Sequence, residues 1–327
     1  MLIFGIETSC DETACAIVKD GREVISNVVA SQIKTHQAFG GVVPEVAARE
    51  HLDAINVVIE ETFTMAGIKP QEIDAFASTA GPGLVGCLLV GLNAAKTLSL
   101  AYDKPYIPVN HLNAHVCANF IDTNLEPPFT CLLVSGGHTQ VINVSNYGQC
   151  EIAASTIDDA TGEVYDKVAR LLGLPYPGGI QLDKLAQTGN KTAFKLPDAK
   201  VGEDEFSFSG LKTAVLRLVQ GFKDGEIPVA DVCASFQERI TTTLIEKTVK
   251  IAKKNGSKTI VLAGGVAANS RLREKLYELE KPENGAFSVF APKMKYCTDN
   301  AAMVASAAFF NPMKVENPLE LEVFSRG

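Results

Sequence analysis

Two stretches of this chain share one unusual plan, a strand, a polar turn, a second strand, another turn and a third strand. In the first, LIFGIETS, TACAIVK and REVISNVVA are separated by the TSCDET turn and by Asp20-Gly21. In the second, FTCLLVSGG, TQVINVS and QCEIAAS are separated at His138 and at Asn146 to Gly148. Each is an antiparallel meander, because short polar turns allow only antiparallel neighbours. A meander repeated so late in the chain points to a duplicated domain.

Helices alternate with strands after each meander, which predicts a mixed sheet flanked by helices. In the first half the pattern gives a helix over 45–66, a strand IDAFASTAG, a helix over 84–101 and a short strand YIPVN. The second half gives helices over 161–172 and 229–254, a strand KTIVLAGG, a helix over 269–280 and a last strand FSVFAP. The division falls near residue 108, giving lobes 1–108 and 109–299, with a final helix over 300–310 and the tail to 327 able to join the first.

Two such halves form the actin/Hsp70/sugar-kinase architecture, an α/β fold of duplicated actin-like (RNase H-like) domains with a nucleotide cleft between them. Its phosphate loops correspond to Glu7–Thr13 and Ser135–Thr139, and its adenosine loop to Ala263–Ala268. That is analogy of fold alone.

Composition narrows the classes. The 327 residues are 46% hydrophobic and 21% charged, enough for two full cores and too polar for a membrane protein. The apolar run Leu84 to Tyr102 contains Gly86, Gly91, Asn93 and Lys96 and fits a buried helix better than a membrane span. The N-terminus has no basic leader and reads as strand-turn-strand rather than a signal peptide. Eight cysteines without CxxC spacing suggest reduced thiols and a cytoplasmic protein. A net charge of −8 argues against gripping nucleic acid through the overall field, so any RNA must meet a local basic patch or a partner subunit. Lys34, Arg49, Arg271, Arg273, Lys293 and Lys295 are candidate RNA-facing cations, each by default a surface charge.

Several short motifs carry chemistry, and each has a plainer reading. Ser135-Gly136-Gly137-His138-Thr139 ends a strand with two glycines, whose backbone N–H groups can approach a phosphate; a lone SGG is more often a bare hairpin turn. Ala263-Gly264-Gly265 leads a strand into a helix whose N-terminus can face a ligand, with Asn269 reaching base, ribose or phosphate, although Asn269 or Ser270 can equally be a helix cap.

His111 and His115, in HLNAH, share one helical face and can hold one cation, though an isolated HxxxH is more often two ordinary residues. Leu112 stands where a zinc peptidase needs Glu, which removes that mechanism. Asp166 is a ligand contact or the partner of Arg170; Gly178-Gly179 read as a loop, with Asp183 on the next helix. Asp299 by default caps the last helix, and as a third ligand beside two histidines it would leave coordination positions open. Asp11 and Glu12, on the first turn, suit metal, amine or proton handling better than phosphate binding, or are simply solvated.

Taken together, GIETSCDET, GGVVPEVAAREH, TAGPGLVGCLLVG, VNHLNAH, LLVSGGHTQ, GEVYDKVARLLGLPYPGG, FSFSGLKTAV, LAGGVAANSRLR and CTDNAAM resemble the TsaD family of tRNA threonylcarbamoyladenosine transferases over essentially the whole chain. The resemblance implies transfer of a threonylcarbamoyl group from threonylcarbamoyl-AMP to the exocyclic amine of the tRNA adenosine beside the anticodon. It implies one divalent metal, iron or zinc, on His111, His115 and Asp299. It implies ligand contacts at Leu133, Val134, Ser135, Gly136, Gly137, Asp166, Gly179, Asp183 and Asn269, to which the loop reading adds His138, Gly264 and Gly265. The nucleotide is threonylcarbamoyl-AMP or ATP, and Asp11 or Glu12 is placed to accept the amine proton.

The implied partners are tRNA, a homologous non-catalytic subunit, TsaB, as a heterodimer, and the P-loop ATPase TsaE, with no membrane. One departure is visible: many bacterial members read His-x-Glu-Gly-His where this chain has Asn113-Ala114. The alternatives are a small-molecule kinase of the same fold, which needs a carboxylate base and no HxxxH pair, and a scaffold subunit without chemistry.

Overall fold

The computed structural model describes residues 1–198, 201–223 and 226–326. The chain forms two compact units: Met1–Glu126 with Tyr147–Gln149 and Pro292–Gly327, and Pro127–Asn146 with Cys150–Ala291.

The first unit begins with β1 (Leu2–Glu7), β2 (Glu12–Lys19) and β3 (Glu23–Ser31), followed by α1 (Ile33–Gln37), α2 (Pro44–Ala66), β4 (Ala75–Gly81), α3 (Val85–Tyr102), β5 (Tyr106–Asn110) and α4 (His111–Cys117). Its sheet order is β3-β2-β1-β4-β5, with β1–β2 and β2–β3 antiparallel and β1–β4 and β4–β5 parallel. The meander expected from the N-terminal pattern is therefore present, extended by two parallel crossovers. Pro44 starts α2, where a missing N–H does no harm, and Gly67 ends it in the left-handed region at φ 64°. Ala47, His51, Ile55, Val58 and Thr62 form its buried stripe at spacings of three and four. That stripe and Leu92 and Ala95 of α3 close over Phe4, Ile6, Cys15, Ile17 and Phe76 of the sheet.

By length and composition α3 could cross a membrane, but Cys87, Leu88, Gly91, Leu92, Ala95 and Ser99 are buried, so it serves as a core helix. Burying each such leucine contributes roughly 2 kcal/mol.

The second unit contains β6 (Phe129–Val134), β7 (Thr139–Asn146), β8 (Gln149–Thr156), α5 (Thr161–Leu171), α6 (Gly178–Ala186), β9 (Glu205–Phe206), α7 (Ser209–Gln220), α8 (Val229–Lys254), β10 (Thr259–Ala263), α9 (Ser270–Glu278) and β11 (Ser288–Phe290). Its sheet order is β11-β10-β6-β7-β8-β9, with β6 antiparallel to β7 and parallel to β10. The second meander is thus also formed. Gly178 and Gly179, expected in a loop, are instead the first residues of α6. The short helices α1 and α7 had no counterpart in the sequence reading.

The Glu238 carboxylate of α8 joins α8 to α9 by accepting hydrogen bonds from Arg271 at 2.7 Å and Lys275 at 2.8 Å. Burial alone would raise the Glu238 pKa, but these two cations bring it down to about 2. Its ordinary pKa is higher, so the stabilisation is present above that value and disappears as pH falls toward 2. Between pH 4.5 and 2 the thermal midpoint of the native chain is expected to drop more steeply than that of Glu238→Gln, measured by circular dichroism.

The last helix, α10 (Ala301–Phe310), belongs to the first unit and is buried from Ala301 to Ala308. It lies so close to β1 that a Cβ on Gly5 would sit 2.7 Å from the Ala301 carbonyl oxygen. Gly5→Val is expected to push α10 away, lowering stability by about 1–3 kcal/mol in urea unfolding.

Candidate metal centre and nucleotide loops

The Asn110 side chain accepts hydrogen bonds from the Leu112 N–H at 2.9 Å and the Asn113 N–H at 3.2 Å, fixing the start of α4 at His111. One turn later comes His115, so both imidazoles leave the same face, their ring centroids 4.7 Å apart. Asp299 precedes α10, and the cap expected of it is supplied by Asn300, whose Oδ1 accepts from the Met303 N–H at 3.1 Å. Freed from capping, Asp299 places Oδ1 3.2 Å from His115 Nε2 and 3.7 Å from His111 Nε2.

The structure therefore brings Asp299 to a histidine pair that the sequence keeps far from it, with one ligand atom from each of the three lying within 4.8 Å of the others. Donors bound to one first-row cation in a tetrahedral arrangement sit roughly 3.4 Å apart, so a small contraction would suit zinc or iron. Two imidazoles and one carboxylate leave further positions open to a substrate oxygen.

Glu7, expected only as the start of the Glu7–Thr13 loop, stands behind the histidine pair. It ends an apolar strand, is fully buried, and its Oε2 lies 3.2 Å from His111 Nδ1 and accepts from Thr79 Oγ1 at 2.6 Å. Ser9 Oγ also lies 3.2 Å from His111 Nδ1. This leaves Nε2 of His111 turned to Asp299, the carboxylate-backed arrangement common at metal-bound histidines. Burial opposes ionisation of Glu7, and the adjacent His111 overcomes it and lowers the carboxyl pKa. Burial likewise opposes ionisation of Asp299, whose pKa is lowered by His111 and His115. Burial would lower His111, but Asp299 and Glu7 raise it to about 9. The signal for Glu7 was present in LIFGIE, a carboxylate in register with buried apolar residues.

Asp11 lies in the turn between β1 and β2 of the same unit, and Glu12 opens β2. Ser31 Oγ donates to Glu12 at 3.2 Å. Burial first, then the negative charges of Asp299 and Asp11, push Glu12 far above the ordinary carboxylate range. A hydrogen bond with Asp11 adds to the rise.

In the second unit the Ser135–Thr139 turn is closed by the Ser135 N–H on the His138 carbonyl at 2.8 Å and by the His138 N–H on Ser135 Oγ at 3.1 Å. Leu133 and Val134 are buried on β6, and a Cβ on Gly136 or Gly137 would meet nothing within 4 Å, so the loop faces open space. Gly264 adopts φ +88°, and a Cβ there would come 2.3 Å from the Val134 carbonyl oxygen; only glycine allows this approach of the two loops. Asp166 Oδ1 accepts from the Gly178 and Gly179 N–H groups at 2.9 and 3.2 Å, tying α5 to the start of α6.

Asp183 Oδ1 accepts from Ser270 Oγ at 2.7 Å, Gln237 Nε2 at 2.9 Å and Asn269 Nδ2 at 3.2 Å. Asn269 Oδ1 caps α9 through the Leu272 N–H at 2.9 Å. The capping reading of Asn269 thus holds together with a tie to Asp183, and Gln237, unremarked in the sequence, completes the network. Of the candidate cations, Arg49 pairs with Glu45, Arg271 with Glu238 and Glu274, and Lys293 with Asp122.

The family model for tRNA N6-adenosine threonylcarbamoyltransferase (TsaD) matches residues 23–306. The chain belongs to the TsaD family. A tRNA N6-adenosine threonylcarbamoyltransferase of Clostridium perfringens is 53% identical over 318 residues, 96% of this chain and 93% of the relative. TsaD relatives in Caldicellulosiruptor bescii, 50% identical over 96% of this chain and 94% of the relative, and Gloeothece citriformis, 51% over 99% and 96%, are similar along nearly their whole length.

Among solved structures, HypF of T. kodakarensis superposes with a TM-score of 0.64 at 17% identity, covering 94% of this chain and 47% of that one. The activator of 2-hydroxyisocaproyl-CoA dehydratase from Clostridium difficile, solved with ADPNP, gives 0.54 at 16% identity over 94% of both chains. These likenesses show the actin-like ATPase fold expected from the two meander-and-helix halves.

With His111 protonated below about 9 in the metal-free chain, binding a cation there must displace a proton. Calorimetric titration of metal-free protein with Zn²⁺ at pH 8, in two buffers of different ionisation enthalpy, is expected to report release of about one proton. Above pH 10 that release is expected to vanish, and Glu7→Gln is expected to reduce it at pH 8, because His111 then loses one of the two charges that raise its pKa.

Proposed function

We propose that the chain transfers a threonylcarbamoyl group from threonylcarbamoyl-AMP to the exocyclic amine of the tRNA adenosine beside the anticodon, with a divalent metal, iron or zinc, on His111, His115 and Asp299. Modification of tRNA adenosine is the activity for which the family and its relatives are named. The observation carrying the metal reading is the approach of Asp299 Oδ1 to both His Nε2 atoms, with Glu7 behind His111.

A metal bound there supplies Lewis-acid polarisation of a substrate oxygen. The remaining work falls to the chain. Glu7 and Ser9 orient His111, and Asp299 holds negative charge against both imidazoles. The backbone N–H groups of Gly136 and Gly137, at a turn that borders open space, bind the adenylate phosphate together with the Gly264-Gly265 turn. Asp166, Gly179, Asp183 and Asn269 hold the nucleoside side of the donor. The amine nitrogen bonds to the carbamoyl carbon, the carbon–oxygen bond to phosphate breaks, and AMP leaves with the electron pair. The amine proton passes to the Asp11–Glu12 pair, with Asp11 the acceptor because burial and neighbouring acids keep Glu12 protonated.

The two units correspond to the two actin-like lobes. A TsaB-like homologue and a TsaE-like ATPase are the expected partners, and they account for RNA binding by a chain of net charge −8. The site of action is the cytoplasm, in keeping with eight cysteines that show no CxxC spacing. A small-molecule kinase is not favoured, since family and relatives are all threonylcarbamoyltransferases.

The test is transfer from threonylcarbamoyl-AMP to tRNA by the metal-loaded chain with its partners, read as modified nucleoside by mass spectrometry. His111→Ala is expected to lower the rate by more than roughly 100-fold, the upper end of what losing a mere supporting residue does. An unchanged yield of modified nucleoside would refute the metal role.

A further inference from the structure

His51 lies on the buried stripe of α2, and its hydrogen bonds go to Cys10 and Thr13. Its side chain is fully buried, and both ring nitrogens are engaged. Nε2 lies 3.0 Å from the Cys10 carbonyl oxygen and Nδ1 lies 2.7 Å from Thr13 Oγ1. A carbonyl only accepts, so Nε2 carries the hydrogen; Nδ1 then offers a lone pair, and the Thr13 hydroxyl donates to it. These roles require one neutral tautomer. Burial lowers the imidazole's pKa, outweighing the opposing pull of the Cys10 carbonyl and of Glu7, Asp11 and Glu50 around it.

The two anchors, Cys10 and Thr13, sit on either side of Asp11 and Glu12. The pairing of β2 with β3 also holds Thr13, and His51 adds a side-chain hold on the Cys10 carbonyl and the Thr13 hydroxyl from the side of α2. A third tie fixes the middle, since the Gln32 N–H donates to the Asp11 carbonyl at 3.0 Å. Gln32 in turn donates to the Ala47 carbonyl at 3.3 Å, so the first turn of α2 braces the same loop.

We propose that His51 is a positioning residue for the transfer reaction, a neutral Nε2–H imidazole that clamps the Cys10–Thr13 turn from both sides and so fixes where the Asp11 and Glu12 carboxyls stand. The proposal rests on the function given above for Asp11 and Glu12. Its physical core, a single-tautomer clamp on the turn, is testable without any turnover.

The experiment uses the full, metal-loaded chain with its partners. Thr13→Val keeps side-chain shape and removes one anchor; His51→Ala removes both; the double variant completes the cycle. Five quantities are read: kcat and KM for tRNA, metal content per chain, and, on the chain alone, the ¹⁵N shifts of the His51 ring and amide hydrogen exchange across residues 10–13. In the native chain the ring shifts should be those of the neutral Nε2–H form. Thr13→Val should move the Nδ1 shift, speed exchange in the turn and lower kcat roughly tenfold, the size of one lost buried hydrogen bond, with metal content and KM unchanged.

His51→Ala should lower kcat at least as far. Adding Thr13→Val to it should cost little more, because the two residues share one interaction. The proposal is overturned if the ring is the Nδ1–H tautomer or imidazolium, if Thr13→Val leaves exchange and kcat as they were, if the two losses simply add, or if metal content falls in step with activity. Should the native chain fail to modify tRNA at all, the transferase reading falls, while the ring shifts and exchange still decide the clamp.

Discussion

Burying a carboxylate is costly unless something pairs with it, and the fully buried Glu7 has one ionisable partner within reach, Nδ1 of His111. From that pairing the candidate centre is built outward. Glu7 ends the central strand of the first sheet, so its position is set by β2 and β4 on either side. His111 opens the helix that follows the sheet's edge strand, so the contact joins strand, helix and loop around one imidazole. The Nε2 edge is left for Asp299, and Asp299 is available because its neighbour Asn300 takes the helix cap. Removing charge from any of these groups leaves another buried charge unpaired, which makes the cluster sensitive as a unit.

The nucleotide loops of the second unit rest on a different device. There the backbone comes first: Gly264 lets the strand-to-helix turn after β10 approach β6, and the two glycines of the SGG turn border open space. Around them Asp166, Asp183, Asn269 and Gln237 hold α5, α6, α8 and α9 to one another. Side chains implied as ligand contacts are thus structural ties as well. A ligand hydroxyl reaching Asp183 would enter a network whose donors are already placed, the preorganisation expected of a binding site.

Much of the architecture was legible before any coordinates. Both meanders were readable because alternating apolar residues broken by Asp20-Gly21 and by Asn146 to Gly148 leave little other choice for local pairing. The long helices α2, α3 and α8 announced themselves by periodicity and length. Two elements did not: α1 and α7 each need packing from neighbours to exist. Gly178-Gly179 looked like a loop because two glycines disfavour helix, yet the Asp166 carboxylate receives both N–H groups and holds the first turn of α6. Capping was legible as a tendency at 299–300, but which residue caps depended on a one-residue shift in where α10 starts.

The sequence by itself determined the duplicated α/β plan, the HLNAH pair on one helical face and the family to which the motifs belong, because each is written in local spacing and order. Tertiary structure alone decided that Asp299 stands against both histidines, that Glu7 lies behind His111, and that His51 straddles the acid turn. Those contacts join residues from opposite ends of the first unit, and spacing along a chain carries no information about which buried charges a folded sheet will press together.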